Sequence, residues 1–157
     1  MIEPIDRERL AHLLANLRTR DREEMAALGV DDETAVHLLT RTAIFGAVFQ
    51  WRGSPAAVMA FHRAGDRTVE VSMLATGAWP KVALSVIRWG LEFAKPQLLA
   101  MGFDRAQCLT MEGYDEAIRF LEFMGFRREG RIAPKSSPVA FIRYAWRVRD
   151  HVHAVCA

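Results

Sequence analysis

Cysteine is scarce in this chain of 157 residues: there are two, Cys108 and Cys156, far apart in sequence. That spacing argues against a disulfide framework or a metal cluster and fits a reducing compartment. Long apolar runs are missing too, none approaching the ~18 residues that a membrane span needs. Met1–Arg9 carries charge early and lacks the apolar centre of a secretory signal. Neither sign of charge is in excess. A formal net charge of +2 gives no whole-protein argument for nucleic acid or membrane as a partner. No internal repeat, low-complexity tract, P-loop, Ser/His/Asp triad or paired-carboxylate pattern stands out. With 51% hydrophobic and 25% charged residues, the expectation is one soluble cytoplasmic domain over residues 1–157, with 148–157 a flexible tail.

What is present divides into two textures. The first third reads as short helices. Asp6–Arg18 has Asp6 as N-cap and Leu10, Leu13, Leu14 and Leu17 in one stripe, although Arg9 stands where a capping box wants a carboxylate or amide. Asp21–Leu28 is closed by Gly29, with Met25 and Leu28 inward. Asp31–Thr40 is capped by Asp31 or Asp32, with Ala35, Leu38 and Leu39 inward. Then come three strand-like runs, Thr42–Arg52, Pro55–Arg63 and Thr68–Ala75, separated by hairpin turns. In the third run Val69, Val71 and Met73 face one side, and Glu70, Ser72 and Leu74 the other. Pro80 suits the first turn of a helix that runs towards Ala100 and is interrupted at Pro96. Its apolar side is Val82, Val86, Ile87, Leu91 and Ala94. A strand over Phe103–Met111 follows. Next is a helix over Tyr114–Phe126 whose apolar positions are Ala117, Ile118, Leu121, Phe123 and Met124. The last runs are Arg127–Ile132 and Val139–Arg147. A meander followed by strand–helix–strand demands a mixed sheet with a right-handed crossover. The class is α+β, with α/β/α layers and a helical amino-terminal third.

That order, with Ala117-Ile118-Arg119-Phe120-Leu121 leading to Gly125-Phe126, resembles the GNAT superfamily of acyl-CoA N-acyltransferases. At the other end, Asn16–Gly29 (NLRTRDREEMAALG) resembles the LR-x-x-D-x-x-E-hydrophobic-x-A-x-G opening of GNAT-like proteins of tailed phages, some of them internal virion or head-associated. The resemblance implies a GNAT-like mixed sheet with acetyl-CoA as cofactor and no metal. It implies a cofactor cleft at the junction Leu74–Ala83, with Leu74, Ala75, Lys81, Val82 and Ala83 as its residues. It makes Glu70 a candidate general base, since an attacking amine must be neutral. Strand alternation alone also accounts for Glu70 as a solvated carboxylate.

Three departures weaken the implied activity. Active members hold the pyrophosphate on the amides of an Arg/Gln-x-x-Gly-x-Gly/Ala loop. Here the loop is Gly77-Ala78-Trp79-Pro80-Lys81-Val82-Ala83, with one glycine, a proline lacking a donor and a bulky tryptophan. Leu121 occupies the place of the tyrosine that protonates the departing thiolate. Tyr114 occupies the asparagine slot; it offers a hydroxyl and is the second candidate catalytic residue, with a different reach. The first expectation is therefore a phage-encoded, virion- or assembly-associated protein with degenerate acetyltransferase motifs, present in the host cytoplasm and in particles. Its partners would be phage structural proteins or further copies of itself. The second is an active acyl-CoA-dependent N-acetyltransferase acting on an amine of a small molecule or protein. His151, His153 and Cys156 offer metal-ligating atoms without a second cluster. The modestly basic Arg143–His153 segment lacks the density of a nucleic-acid arm.

Overall fold

Seven strands form one sheet in the computed structural model, which describes residues 1–151. In chain order they are β1 (Ile2–Glu3), β2 (Ala43–Trp51), β3 (Ser54–Arg63), β4 (Thr68–Ala75), β5 (Arg105–Met111), β6 (Arg127–Ile132) and β7 (Phe141–Arg147). The helices are α1 (Arg7–Ala15), α2 (Thr19–Ala27), α3 (Asp32–His37), α4 (Trp79–Trp89), α5 (Lys95–Ala100) and α6 (Asp115–Phe123). The sheet order is β1-β2-β3-β4-β5-β7-β6. Every neighbouring pair is antiparallel except β4 and β5, which the α4–α5 crossover makes parallel.

Alternation along the strands sorts the core into two layers. Ala57, Met59 and Phe61 of β3 and Val69 and Ala75 of β4 meet Val82, Val86, Ala94 and Leu98 from α4, α5 and the turn between them. The opposite residues Val58 and Ala60 meet Leu10 and Leu13 of α1. Cys108, Ile142 and Tyr144 are covered by Ile118 and Leu121 of α6. The layered α+β class, the antiparallel meander and the parallel crossover are all present as expected.

Several boundaries and faces differ from the sequence reading. Helix α1 stops at Ala15, and Leu17 instead makes a bridge to Thr76 beside β4. Asp31, not Asp32, caps α3, accepting the Thr34 N–H at 2.7 Å. The third helix ends in a widened π turn over Leu38–Thr42, which turns Leu38 outward and keeps Leu39 buried. The long helix is also interrupted earlier than Pro96, by a π turn over Gly90–Ala94. A Cβ at Gly90 would meet only the terminal methyl of Met124, Cε at 2.9 Å, which can swing aside. Pro96 then sits harmlessly in the first turn of α5. The shift in helical phase leaves Leu91 exposed, and Leu28 and Phe123 are exposed as well. Val148–Asp150 form a 3-10 turn and His151 stacks on Trp146, with ring centroids 5.2 Å apart. His153 and Cys156 lie outside the described residues.

Candidate functional site

The parallel pairing of β4 with β5 is brief. It joins Thr68 to Arg105, Val69 to Ala106 and Glu70 to Gln107, and then stops. Beyond that point the strands diverge, so 71–75 and 108–111 form the arms of a V. A crevice at the carboxyl ends of parallel strands is where open α/β sheets place their ligands.

Helix α2 lies across this V, and its ionisable residues grip both arms. Asp21 is almost fully buried. Its Oδ2 accepts the Ala75 N–H at 2.7 Å on the β4 arm, while Oδ1 accepts the Tyr114 hydroxyl at 2.6 Å. One turn on, Glu24 Oε2 accepts the Met111 N–H of the β5 arm at 3.3 Å. Arg18 holds Asp21 through Nη2 at 3.0 Å and pairs with Glu116 at 3.4 Å. Its own N–H donates to the Ala75 carbonyl at 2.9 Å. The Arg18 guanidinium also lies over the rings of Trp79 and Tyr114, at 5.4 and 5.6 Å from their centroids. Residues three apart on a helix share a face, so Arg18, Asp21 and Glu24 reach the V together.

The strand–helix junction is engaged in a similar way. Ala78 N–H donates to Thr76 Oγ1 at 3.2 Å, Trp79 N–H to the Thr76 carbonyl at 3.0 Å, and Lys81 N–H to the Ala78 carbonyl at 2.9 Å. Pro80 has no N–H to give. Trp79 is buried and meets Phe120 of α6 edge-on at 5.2 Å, bridging the first turn of α4 to α6. Gly77 is exposed, and no other atom of this chain lies near a would-be Cβ there. The amides of Thr76, Ala78, Trp79 and Lys81 already have partners and Pro80 has none to offer, so the junction does not fit a pyrophosphate cradle.

Of the residues named from sequence, Leu74 lines the V and Ala75 has both backbone groups tied to α2. Lys81 is exposed on α4, Val82 is buried in the core and Ala83 is half-buried. They do not converge on one point. Glu70 faces the α2 side, where its Oε2 accepts Gln107 Nε2–H at 2.9 Å. Burial raises its carboxyl above the usual range, opposed by the Gln107 hydrogen bond and by Arg143 and Arg105. Tyr114 is buried, and its hydroxyl is raised by burial and by the Asp21 carboxylate that it serves. That hydroxyl is committed to α2.

A cavity of about 300 Å³ passes through the V between the two faces of the sheet. Glu24 and Glu70 both line it, as do Met25, Leu74, Thr110 and Leu121. Burial pushes the Glu24 carboxyl from 4.5 to about 7; the Met111 N–H, Arg18 and the Thr110 hydroxyl pull it down, and Asp21 adds to the rise. The sequence reading missed Arg18, Asp21 and Glu24 as site residues. The signal was there: ionisable groups at i, i+3 and i+6 place three charges on one side of a short helix.

No protein-family model matches the chain, and no curated protein matches its sequence. Solved structures do match. The GNAT domain of S. lividans PAT aligns over 94% of this chain and 89% of its own, with a TM-score of 0.71 at 15% identity. The ribosomal-protein-S18-alanine N-acetyltransferase from Escherichia coli aligns over 94% and 93%, with a TM-score of 0.68 at 13% identity. The yncA structure from Salmonella typhimurium, solved with its cofactor acetyl-CoA, aligns over 97% and 95%, with a TM-score of 0.61 at 15% identity. The chain has the GNAT fold.

Proposed function

We propose that this is a phage-encoded GNAT-fold protein that acts through contacts in the virion or during its assembly, with its acyl-CoA cradle closed. One observation carries the closed cradle: the β4 arm that would face a cofactor already gives its Ala75 N–H and C=O to Asp21 and Arg18. The partnered amides of Thr76, Ala78, Trp79 and Lys81 and the buried Trp79 support the same reading. The phage assignment leans on the resemblance of Asn16–Gly29, whose Arg18, Asp21 and Glu24 are the groups that close the V.

Titration calorimetry with acetyl-CoA tests the closed cradle. The expected result is no saturable binding at millimolar cofactor. Micromolar binding that weakens in Lys81→Ala would overturn it. Counting copies of the protein in purified particles tests the assignment to the virion, and absence from particles would sink it.

A second reading, an N-acyltransferase acting on an amine of a small molecule or protein, is favoured by Glu24. A carboxyl near 7 is matched to removing a proton from an ammonium group. Glu70, on the same cavity, is the other candidate base. Micromolar acetyl-CoA binding would favour this reading over the first.

A further inference from the structure

Charge is spread along this chain far less evenly than its net of +2 implies. Residues 127–149 hold seven arginines and lysines against one carboxylate, a net of +6. Residues 1–33 hold five against nine, a net of −4, and the rest of the chain balances. The fold keeps the two excesses apart. From the first third, β1, α1 and the end of α3 pack on β2 and β3, while 127–149 build β6 and β7 beyond β5.

Strand pairing gathers the positive end onto one face. Ile142 and Tyr144 of β7 pack under α6, so Arg143, Ala145 and Arg147 point to the other side. Residues opposite one another in a ladder share a face. Arg105 of β5 lies opposite Arg147, and Arg127 of β6 lies opposite Ala145, which puts four arginines on that side. Arg149 joins them, lining a shallow depression with Arg105 and Arg147. Asp104 lines it too, but its carboxylate is taken by Arg67 at 2.7 Å.

Few of these cations are neutralised within the chain. Glu129 takes Arg105 and Arg147, and Glu112 takes Arg131. Glu70, on the same face across β5, accepts from Gln107. Arg127, Arg128, Lys135, Arg143 and Arg149 make no ion pair or side-chain hydrogen bond among the described residues. Arginines on an edge strand also guard it against pairing with other chains. That accounts for Arg128 and Arg131 on β6, but not for Arg143 on the inner strand β7.

What the surface lacks selects the anion. An extended acidic peptide docks by adding its backbone to an open strand edge. The β6 edge is guarded by charge and broken by the register shift between Arg128 and Gly130. Single-stranded nucleic acid is held by aromatic rings on which its bases stack. Here Phe141 and Tyr144 are buried, and the Trp146 ring is taken by Lys95 and His151. A duplex needs neither device, since it presents one negative charge per ~1.7 Å of its axis to any spread of cations.

We propose that the β5–β7–β6 face binds the phosphate backbone of duplex nucleic acid. The acidic amino-terminal third orients the molecule so that this face meets the polyanion. The basic Arg143–His153 segment is too sparse for this by itself, and Arg105 and Arg127 reach it only through the sheet. Binding needs neither acyl-CoA nor a virion partner, so the inference stands apart from the function proposed above.

The test titrates the full chain into a short labelled duplex DNA of mixed sequence and reads fluorescence anisotropy at several salt concentrations. Binding should be micromolar at about 50 mM salt and weaken about a hundredfold by about 200 mM, as about four phosphate contacts require. Arg127→Gln combined with Arg143→Gln should weaken binding tenfold or more and reduce the salt slope by about two. Glu129→Gln removes a carboxylate from the face and should tighten binding a few-fold, a change that misfolding does not mimic. Arg88→Gln, at an exposed arginine on α4, should leave binding unchanged. No saturation at about 50 mM salt, or an equal loss in Arg88→Gln, would overturn the inference. Tighter binding of the matching single strand, or of polyglutamate, than of the duplex would overturn it as well.

Discussion

Helices α2 and α6 are the same length, nine residues, and each is followed by a glycine in the left-handed region, Gly29 at φ +70 and Gly125 at φ +87. They flank the same V from different elements of the chain, yet they carry opposite kinds of information. Helix α6 is strongly amphipathic and none of its residues is fully buried. Helix α2 is poorly amphipathic and buries a charged residue, Asp21, together with Met25. Apolar periodicity makes α6 easy to recognise and gives it the role of a cover over β5 and β7. The buried polar contacts belong to α2. The element that announces the fold is therefore not the one that decides what the V can hold.

The sharpest way to break this contrast is to remove the α2 carboxylate. Asp21→Ala strips the partner from the Tyr114 hydroxyl and from the Ala75 N–H in one step, and leaves Arg18 with Glu116 alone. Breaking a buried pair from one side costs about 3–5 kcal/mol, and that loss is expected in urea denaturation. The matching change on α6, Asp115→Ala, removes an exposed first-turn carboxylate and should cost about 0.5 kcal/mol. Comparable losses at the two positions would dissolve the distinction between the helices.

Next in size is the response to pH. Glu24 has its carboxyl raised from 4.5 to about 7, mainly by burial. Between those values the native state holds a proton that the unfolded chain has released. The stabilisation is therefore complete below pH 4.5 and is lost as pH rises through 7. Allowing for partial exposure, the change should be about 2–3 kcal/mol. Glu24→Gln should flatten that profile between about pH 5 and 8 and be the more stable protein at about pH 8. A wild-type profile that is flat over this window would mean that Glu24 is solvated and that α2 does not seal the V.

Much of the fold is legible in the sequence because burial there obeys simple periods. The alternation in Thr68–Ala75 places Val69, Val71 and Met73 on the α4 face, where they pack. Pro80 and Gly125 mark a helix start and a helix end. The π turns at Leu38–Thr42 and Gly90–Ala94 are not legible, because an extra residue in a helical turn leaves no compositional mark and only shifts the phase of the residues after it. A regular helical period therefore puts Leu38 and Leu91 inward, whereas both are exposed. The candidate site is legible only from one side. Resemblance points to Glu70 and the junction after β4, whereas Arg18, Asp21 and Glu24 serve in the sequence only to classify the chain. Their role depends on α2 crossing the V, a tertiary contact between residues as far apart in sequence as Asp21 and Tyr114.

Phe123 gives the smallest effect and the most direct check on how α6 is seated. Counted in the apolar stripe of Tyr114–Phe126, it would be a core aromatic, and shortening one to alanine costs about 3–5 kcal/mol. In the structure its exposure is 71%, while Ile118 and Leu121 are the side chains that reach Cys108, Ile142 and Tyr144. Phe123→Ala should then change stability in urea by no more than about 0.5 kcal/mol, the range of surface substitutions, with the slope unchanged. Leu121→Ala in the same helix should cost about 2 kcal/mol or more, since it opens space against a packed wall. If the two variants trade places, α6 is rotated about its axis. Leu121 would then turn away from the cavity, and the wall that α6 gives to the V would have to be redrawn.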